Sequence, residues 1–180
     1  MSPLASDGRI ALRRYRADDV DALYAAVDES RASISRWMPW CSDGYAWGDA
    51  LTWVAGRERA WIDGEEYSLL IVDASTDDLL GSCGINQLNR VHAFANLGYW
   101  VRERVQRRGV ASTATRLAAR YAFGTLRLGR LEIVTDVDNV ASRRTAERAG
   151  ARFEGVCRNR LRQWGSWQDA ALYGLVPSDV

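Results

Sequence analysis

The chain has 180 residues, 47% of them hydrophobic, with 24 basic and 23 acidic side chains and a net charge of +1. That size suits one globular domain over residues 1–180 with a sizeable core, and the even charge gives no reason to expect a nucleic-acid partner. All 24 basic residues are Arg, which excludes a phosphate-loop lysine and a Schiff base.

The opening "MSPLASDGRIAL" lacks the basic and apolar regions of a signal peptide, and no stretch has the apolar length of a bilayer span. A cytoplasmic protein without a membrane partner is the expectation. "RIALRRY" (9–15) reads as a first strand. "DDVDALYAAVDES" (18–30) follows as a helix, with Val20, Leu23, Tyr24 and Val27 at helical spacing. Residues 34–47 are rich in aromatics but carry Pro39 and Gly44, which predicts a loop or broken helix. A second helix is predicted over 49–64, then strands over 67–74, 79–88 and 95–103. A helix within 105–123, a strand over 130–137, a helix over 139–150 and strands over 152–161 and 167–176 complete the chain. This order predicts a mixed α/β domain with about seven strands, mostly antiparallel and flanked by helices.

Two helix starts carry the chemistry. In "VQRRGVASTATRLAARYAF" (105–123) the helix opens on Gly109 and Ala111, small residues that would let an anion reach the free N–H groups of the first turn. Arg107 and Arg108 could hold a phosphate from outside, and Ser112 could donate its hydroxyl; a surface turn with solvated arginines is the plain alternative. In "VDNVASRRTAERAG" (137–150), Asn139 and Ser142 share one face of the first turn, although Asp138 or Asn139 could simply cap the helix. Cys41, Cys83 and Cys157 have no paired ligand spacing, so no metal site or disulfide framework is expected.

These segments are where a family resemblance enters. The run Gln106, Arg107, Arg108, Gly109, Val110, Ala111 resembles the Q/R-x-x-G-x-G/A signature of the GNAT superfamily of N-acetyltransferases. Asn139 and Ser142, followed by "AERAGARFEG", together with "LRRYRADDVDALY" and "WMPW" (37–40), are similar to its RimJ/RimL-like branch. The resemblance implies that fold, and acetyl-coenzyme A as cofactor in a cleft where the strands around 95–103 and 130–136 part. It also implies that the backbone of Trp100, Val101 and Glu103 and the side chain of Asn139 face the pantetheine, while the N–H groups from Arg107 to Ser112 face the pyrophosphate. Many members have a tyrosine where this chain has Ala146, so Ser142 is the acid that remains for the leaving thiol. The acidic residue frequent before "LGYW" is replaced here by Asn96.

The general base is therefore open among Glu65, Glu66, Glu132, Asp136 and a water chain. His92 reads as exposed, in the loop "NRVHAF". Trp37, Trp40 and Trp47 could wall an acceptor pocket or pack back on the core. The preferred acceptor is a protein or peptide N-terminal α-amine of the ribosomal-protein type, with a small-molecule amine as the alternative, and a homodimer stays open. A non-catalytic acyl-coenzyme A binder, a nucleotide-binding enzyme lacking the full dinucleotide fingerprint, and a structural interaction domain are the remaining classes.

Overall fold

The computed structural model describes residues 3–180. One eight-stranded sheet organises them, in the order β1-β2-β3-β4-β5-β6-β8-β7. In chain order the strands are Ala5–Ser6, Ile10–Arg14, Tyr67–Asp73, Leu79–Asn89, Phe94–Val101, Arg130–Asp136, Arg152–Gln163 and Ser166–Leu175. The helices are α1 (Val20–Glu29), α2 (Arg31–Ser35), α3 (Trp47–Ile62), α4 (Val110–Gly124) and α5 (Val140–Ala149). The predicted elements are all present, and the expectation of about seven strands falls one short. The extra strand, β1, is two residues long and pairs Ala5 with Leu12 and Ser6 with Ala11. It is made by a side-chain turn rather than by a hydrophobic pattern: Asp7 Oδ1 accepts from the N–H groups of Arg9 (3.0 Å) and Ile10 (2.9 Å).

Alternation along the central strands, shifted once by a bulge between β3 and β4, builds two cores. On one face Ile10, Leu12, Leu69, Ile71, Cys83, Ile85 and Leu97 pack with Ala114, Leu117, Ala118 and Ala122 of α4. On the other, Ala11, Leu70, Val72 and Leu79 pack with Val20, Leu23 and Val27 of α1 and with Ala50 and Val54 of α3. Residues 34–47 behave as a broken helix: α2 ends at Ser35, and turns carry the chain past Pro39 to α3.

All strand pairs are antiparallel except β5–β6. That parallel pair holds only at Phe94–Arg130, Ala95–Leu131 and Asn96–Glu132, after which the two strands diverge. The parting of the sheet expected between these strands is therefore present, and it begins at Asn96. Beyond that point the edge of β5 has no partner on one side. Arg102 N–H bonds to Leu80 O at 2.8 Å, so alternation turns the N–H groups of Tyr99 and Val101 away from β4 and into the opening.

Candidate active site

The opening is the mouth of a cleft of about 1120 Å³. Along one side run Leu97–Val101 of β5, and along the other Ile133–Asp136 of β6 and the first turns of α5. One end is formed by the loop into α4. Gly109, at φ +76°, holds the left-handed conformation that glycine adopts without steric cost, and Arg107 is also left-handed at φ +61°. Left-handed residues thus flank Arg108, a turn of the kind that can gather successive N–H groups into a concavity suited to an anion. The first helical bond runs from Thr113 N–H to Gly109 O at 3.0 Å, so the N–H groups before it have no acceptor in the helix. A side chain at Gly109 would have only Arg9 Nη2 (3.8 Å) and Ser112 Oγ (4.0 Å) nearby, so the approach is open. A polyphosphate with an extended arm fits this combination of nest, helix dipole and free strand edge.

Of the residues singled out from sequence, Trp37, Trp100, Val101, Glu103, Gln106, Arg107, Gly109, Val110, Ala111, Ser112, Asn139 and Ser142 all line this cleft. Three side chains make other contacts. Arg108 lies outside the lining; its carbonyl instead accepts from Arg9 Nη1 at 3.1 Å. Ser112 is buried and its hydroxyl donates to Gly109 O at 3.1 Å, so its single proton is committed to the helix. Trp47 walls neither cavity: its Nε1 donates to Asp21 Oδ1 at 2.7 Å, pinning α3 to α1.

At the start of α5, Asn139 is the cap. Its Oδ1 accepts from Ser142 N–H at 3.0 Å, which leaves its amide hydrogens free for a ligand. Ser142 has a partner that sequence reading did not supply. The hydroxyl of Tyr99 lies 3.0 Å from Ser142 O, to which it donates, and 3.2 Å from Ser142 Oγ. Burial pushes the Tyr99 phenol up to about 12, with the Ser142 contact acting the other way. Tyr99 is therefore neutral throughout the physiological range. Ala146, which stands where many members of the resembled superfamily have a tyrosine, is fully buried in the core.

A second cavity of about 430 Å³ lies on the α1–α3 side of the sheet. It meets the cleft at Met38, Gly98, Tyr99 and Trp100, which line both. Trp40, exposed at its rim, belongs to this cavity, and so do Tyr45 and Trp53. Among the four candidate carboxylates only Glu66 reaches it. Glu65 is exposed, Glu132 is paired with Arg130 at 3.1 Å, and Asp136 lies in the larger cleft, accepting from Asp138 N–H at 2.8 Å. Glu66 is held by Arg57 at 3.1 Å and by the Ser68 hydroxyl. His92 is exposed in a turn, as expected. Asn96, which stands where the resembled branch frequently has an acid, donates through Nδ2 to Asn86 Oδ1 at 2.9 Å.

The far lip is tied across the molecule. Gln163 Nε2 donates to Trp37 O at 2.9 Å, joining the β7–β8 hairpin to the loop before α3. A carbonyl can only accept, so the amide orientation is fixed, and Gln163 Oε1 is left buried without a protein partner. No pattern around Gln163 announces this. Among the described residues no group of His, Cys, Asp and Glu is arranged to hold a metal, and no helix is long and apolar enough to cross a membrane.

Comparison with known proteins agrees with this geometry. Residues 9–152 match the family model described as "Acetyltransferase (GNAT) domain". The chain is 29% identical over 172 residues to "Putative ribosomal N-acetyltransferase YdaF" of Bacillus subtilis (strain 168), covering 93% of this chain and 91% of that one. It is 23% identical over 167 residues to the ribosomal-protein-serine acetyltransferase of Escherichia coli (strain K12), covering 93% and 92%. The structure of RimL, a ribosomal L7/L12 alpha-N-protein acetyltransferase in complex with coenzyme A, superposes with a TM-score of 0.84 at 24% identity over 96% of each chain. That last likeness concerns the fold.

Proposed function

We propose, for a chain that belongs to the GNAT family of acetyl-coenzyme A-dependent acetyltransferases, that residues 1–180 form one N-acetyltransferase domain whose acceptor is a protein or peptide N-terminal α-amine. The observation that carries this reading is the meeting of two cavities at Gly98–Trp100. One has a phosphate nest and a free strand edge; the other has aromatic walls and a carboxylate. The relatives named for ribosomal-protein acetylation support a peptide acceptor.

Acetyl-coenzyme A supplies an activated acetyl thioester: a C–N bond forms to the acceptor, the C–S bond breaks, and the sulfur leaves with a proton. The chain's contribution begins with proximity, since the cleft and the pocket hold both reactants against the same short stretch of β5. The N–H groups of Tyr99 and Val101, turned into the opening, face the acetyl oxygen and stabilise the charge that develops there. The nest at 107–112 and the free amide hydrogens of Asn139 hold the pyrophosphate and the arm. Ser142 donates a hydrogen bond to the leaving sulfur. Tyr99 is a positioning residue: by donating to Ser142 O it fixes the start of α5, and its phenol oxygen accepts the Ser142 hydroxyl at rest, from which that hydroxyl turns to the sulfur. Glu66 faces the incoming ammonium and receives its proton.

The test is a thiol-release screen with acetyl-coenzyme A against peptides with a free N-terminus, the same peptides blocked by formylation, polyamines and aminoglycosides. Turnover confined to free-N-terminus peptides is the expected result. Selective acetylation of polyamines or aminoglycosides with no peptide product would overturn the peptide reading while leaving the acetyltransferase in place.

A further inference from the structure

The smaller pocket has a shape that speaks to the acceptor's first residue. At about 430 Å³ it lies inside the range of roughly 300–1,000 Å³ found for pockets that bury a drug-sized ligand. A serine or alanine side chain would leave most of that space empty. The walls come from three parts of the chain: Trp40 and Tyr45 from the loop before α3, Trp53 from α3 itself, and Trp100 from β5. Trp40 joins two of them, with ring centroids 5.9 Å from Tyr45 and 6.4 Å from Trp100. Arg57 stacks over Trp53 at 3.6 Å and pairs with Glu66 at 3.1 Å, tying that ring to the carboxylate. Trp40 and Trp53 nevertheless remain 48% and 41% exposed, so two large rings bordering one cavity present uncovered apolar surface.

The polar groups gather on the sheet side of the pocket. Gly84 and Gly98 are direct partners in the β4–β5 ladder, and neither puts a side chain between the pocket and the cleft. A Cβ on Gly84 would stand 3.6 Å from Glu66 Oε1 and 3.5 Å from Ser68 Oγ, which locates the carboxylate over this bare patch. Asn86, two residues along β4, adds an amide. The other carboxylate of the pocket, Asp49, is exposed and accepts from Ala46 N–H at 2.8 Å as a helix cap. The cavity thus has a carboxylate beside the route to the cleft and aromatic rings elsewhere. That distribution is complementary to an ammonium group attached within a few bonds to a large apolar body.

We infer that the acceptor peptide begins with a large apolar residue, its ammonium lying over Gly84 and Gly98 against Glu66 and its side chain filling the box of Trp40, Tyr45, Trp53 and Trp100. This rests on the peptide reading above and separates the chain from a preference for serine, the residue in the name of the Escherichia coli relative. Full burial of a leucine or phenylalanine side chain is worth about 10- to 150-fold in binding, enough to dominate selection among first residues.

The experiment uses five acceptors with saturating acetyl-coenzyme A: four peptides identical after a first residue of Ser, Ala, Leu or Phe, and phenethylamine as a free amine. The kcat/KM for the Leu and Phe peptides is expected to exceed that of the Ser peptide by about tenfold or more. Trp40→Ala and Trp53→Ala, at exposed positions that tolerate truncation, should bring the Phe-to-Ser ratio towards one. Glu66→Gln should instead lower kcat and raise KM for every peptide and preserve that ratio. A Ser or Ala peptide acetylated as well as the Phe peptide overturns the side-chain assignment and leaves the peptide reading standing. Acetylation of phenethylamine with no peptide product removes the peptide reading, and this assignment with it.

Discussion

The contact between Tyr99 and Ser142 makes a quantitative demand on kinetics. Ser142→Ala removes a hydrogen bond proposed to strengthen as negative charge builds on sulfur, and hydrogen bonds to charged groups are worth about 1.5–3 kcal/mol. At about 1.4 kcal/mol per factor of ten, the acetyl-transfer rate should fall about 10- to 150-fold. Tyr99→Phe removes a neutral donor 3.0 Å from Ser142 O. Its net value of about 0.5–1.5 kcal/mol corresponds to a loss of about 2- to 13-fold. The Ser142 carbonyl keeps its place in the ladder of α5, so the phenylalanine variant should stay folded. Because Tyr99 acts through Ser142, the two losses should not multiply: the double variant should resemble Ser142→Ala alone. Single-turnover acetyl transfer at saturating acetyl-coenzyme A reports this directly, and the KM for acetyl-coenzyme A should stay near the parent value. Parent-like single-turnover rates for Ser142→Ala, or losses that multiply in the double variant, would refute the assignment.

Three further outcomes follow from the geometry. Gly109→Asp should weaken acetyl-coenzyme A binding by at least about tenfold in calorimetric titration, and well beyond Gly109→Ala, because both bear the left-handed strain but only aspartate sets a negative charge at the nest. Alkaline stability should fall between pH 10 and about 12: burial raises the phenols of Tyr15, Tyr45 and Tyr99 from 10.0 to about 12, so the folded state keeps protons that the unfolded chain has lost. Their contribution is fully present below pH 10 and disappears as pH rises through the folded values; a chemical-denaturation midpoint that stayed level from pH 9 to 12 would contradict this. Trp47→Phe should lower stability by about 1 kcal/mol through loss of the bond to Asp21, with acceptor and cofactor KM unchanged.

The larger cleft of the candidate site was legible because its shape rests on backbone geometry that small residues announce. Gly109 and Ala111 mark a helix start that an anion can approach, and Asn139 marks a cap whose partner one turn on is Ser142. Sequence is least informative where a side chain has several choices. A serine in the first turn of a helix can face a ligand or bond back to the preceding carbonyl, and Ser112 does the latter. Tyr99 was hidden inside a strand motif, since its role depends on the divergence of β5 from β6 bringing α5 alongside, a non-local event. Which of Glu65, Glu66, Glu132 and Asp136 reaches the smaller cavity depends on which one the fold sets over Gly84, and Gln163 meets Trp37 across most of the chain. β1 has too few residues for periodicity to register.

The arginines around the larger cleft have a bearing on how an acetyltransferase survives its own reagent. Arg36, Arg107, Arg144 and Arg148 line the cleft and supply the positive field that a polyphosphate seeks. A lysine would supply the same charge, but with an ordinary value near 10.4 it exposes a small fraction of neutral amine at every moment. Each such amine, held beside a thioester, is a competing nucleophile whose acetylation would erase the charge that recruited the ligand. Guanidinium stays protonated and offers no free lone pair at nitrogen. In a chain whose 24 basic side chains are all arginine, the attraction for the acyl donor is built from groups that the donor cannot consume.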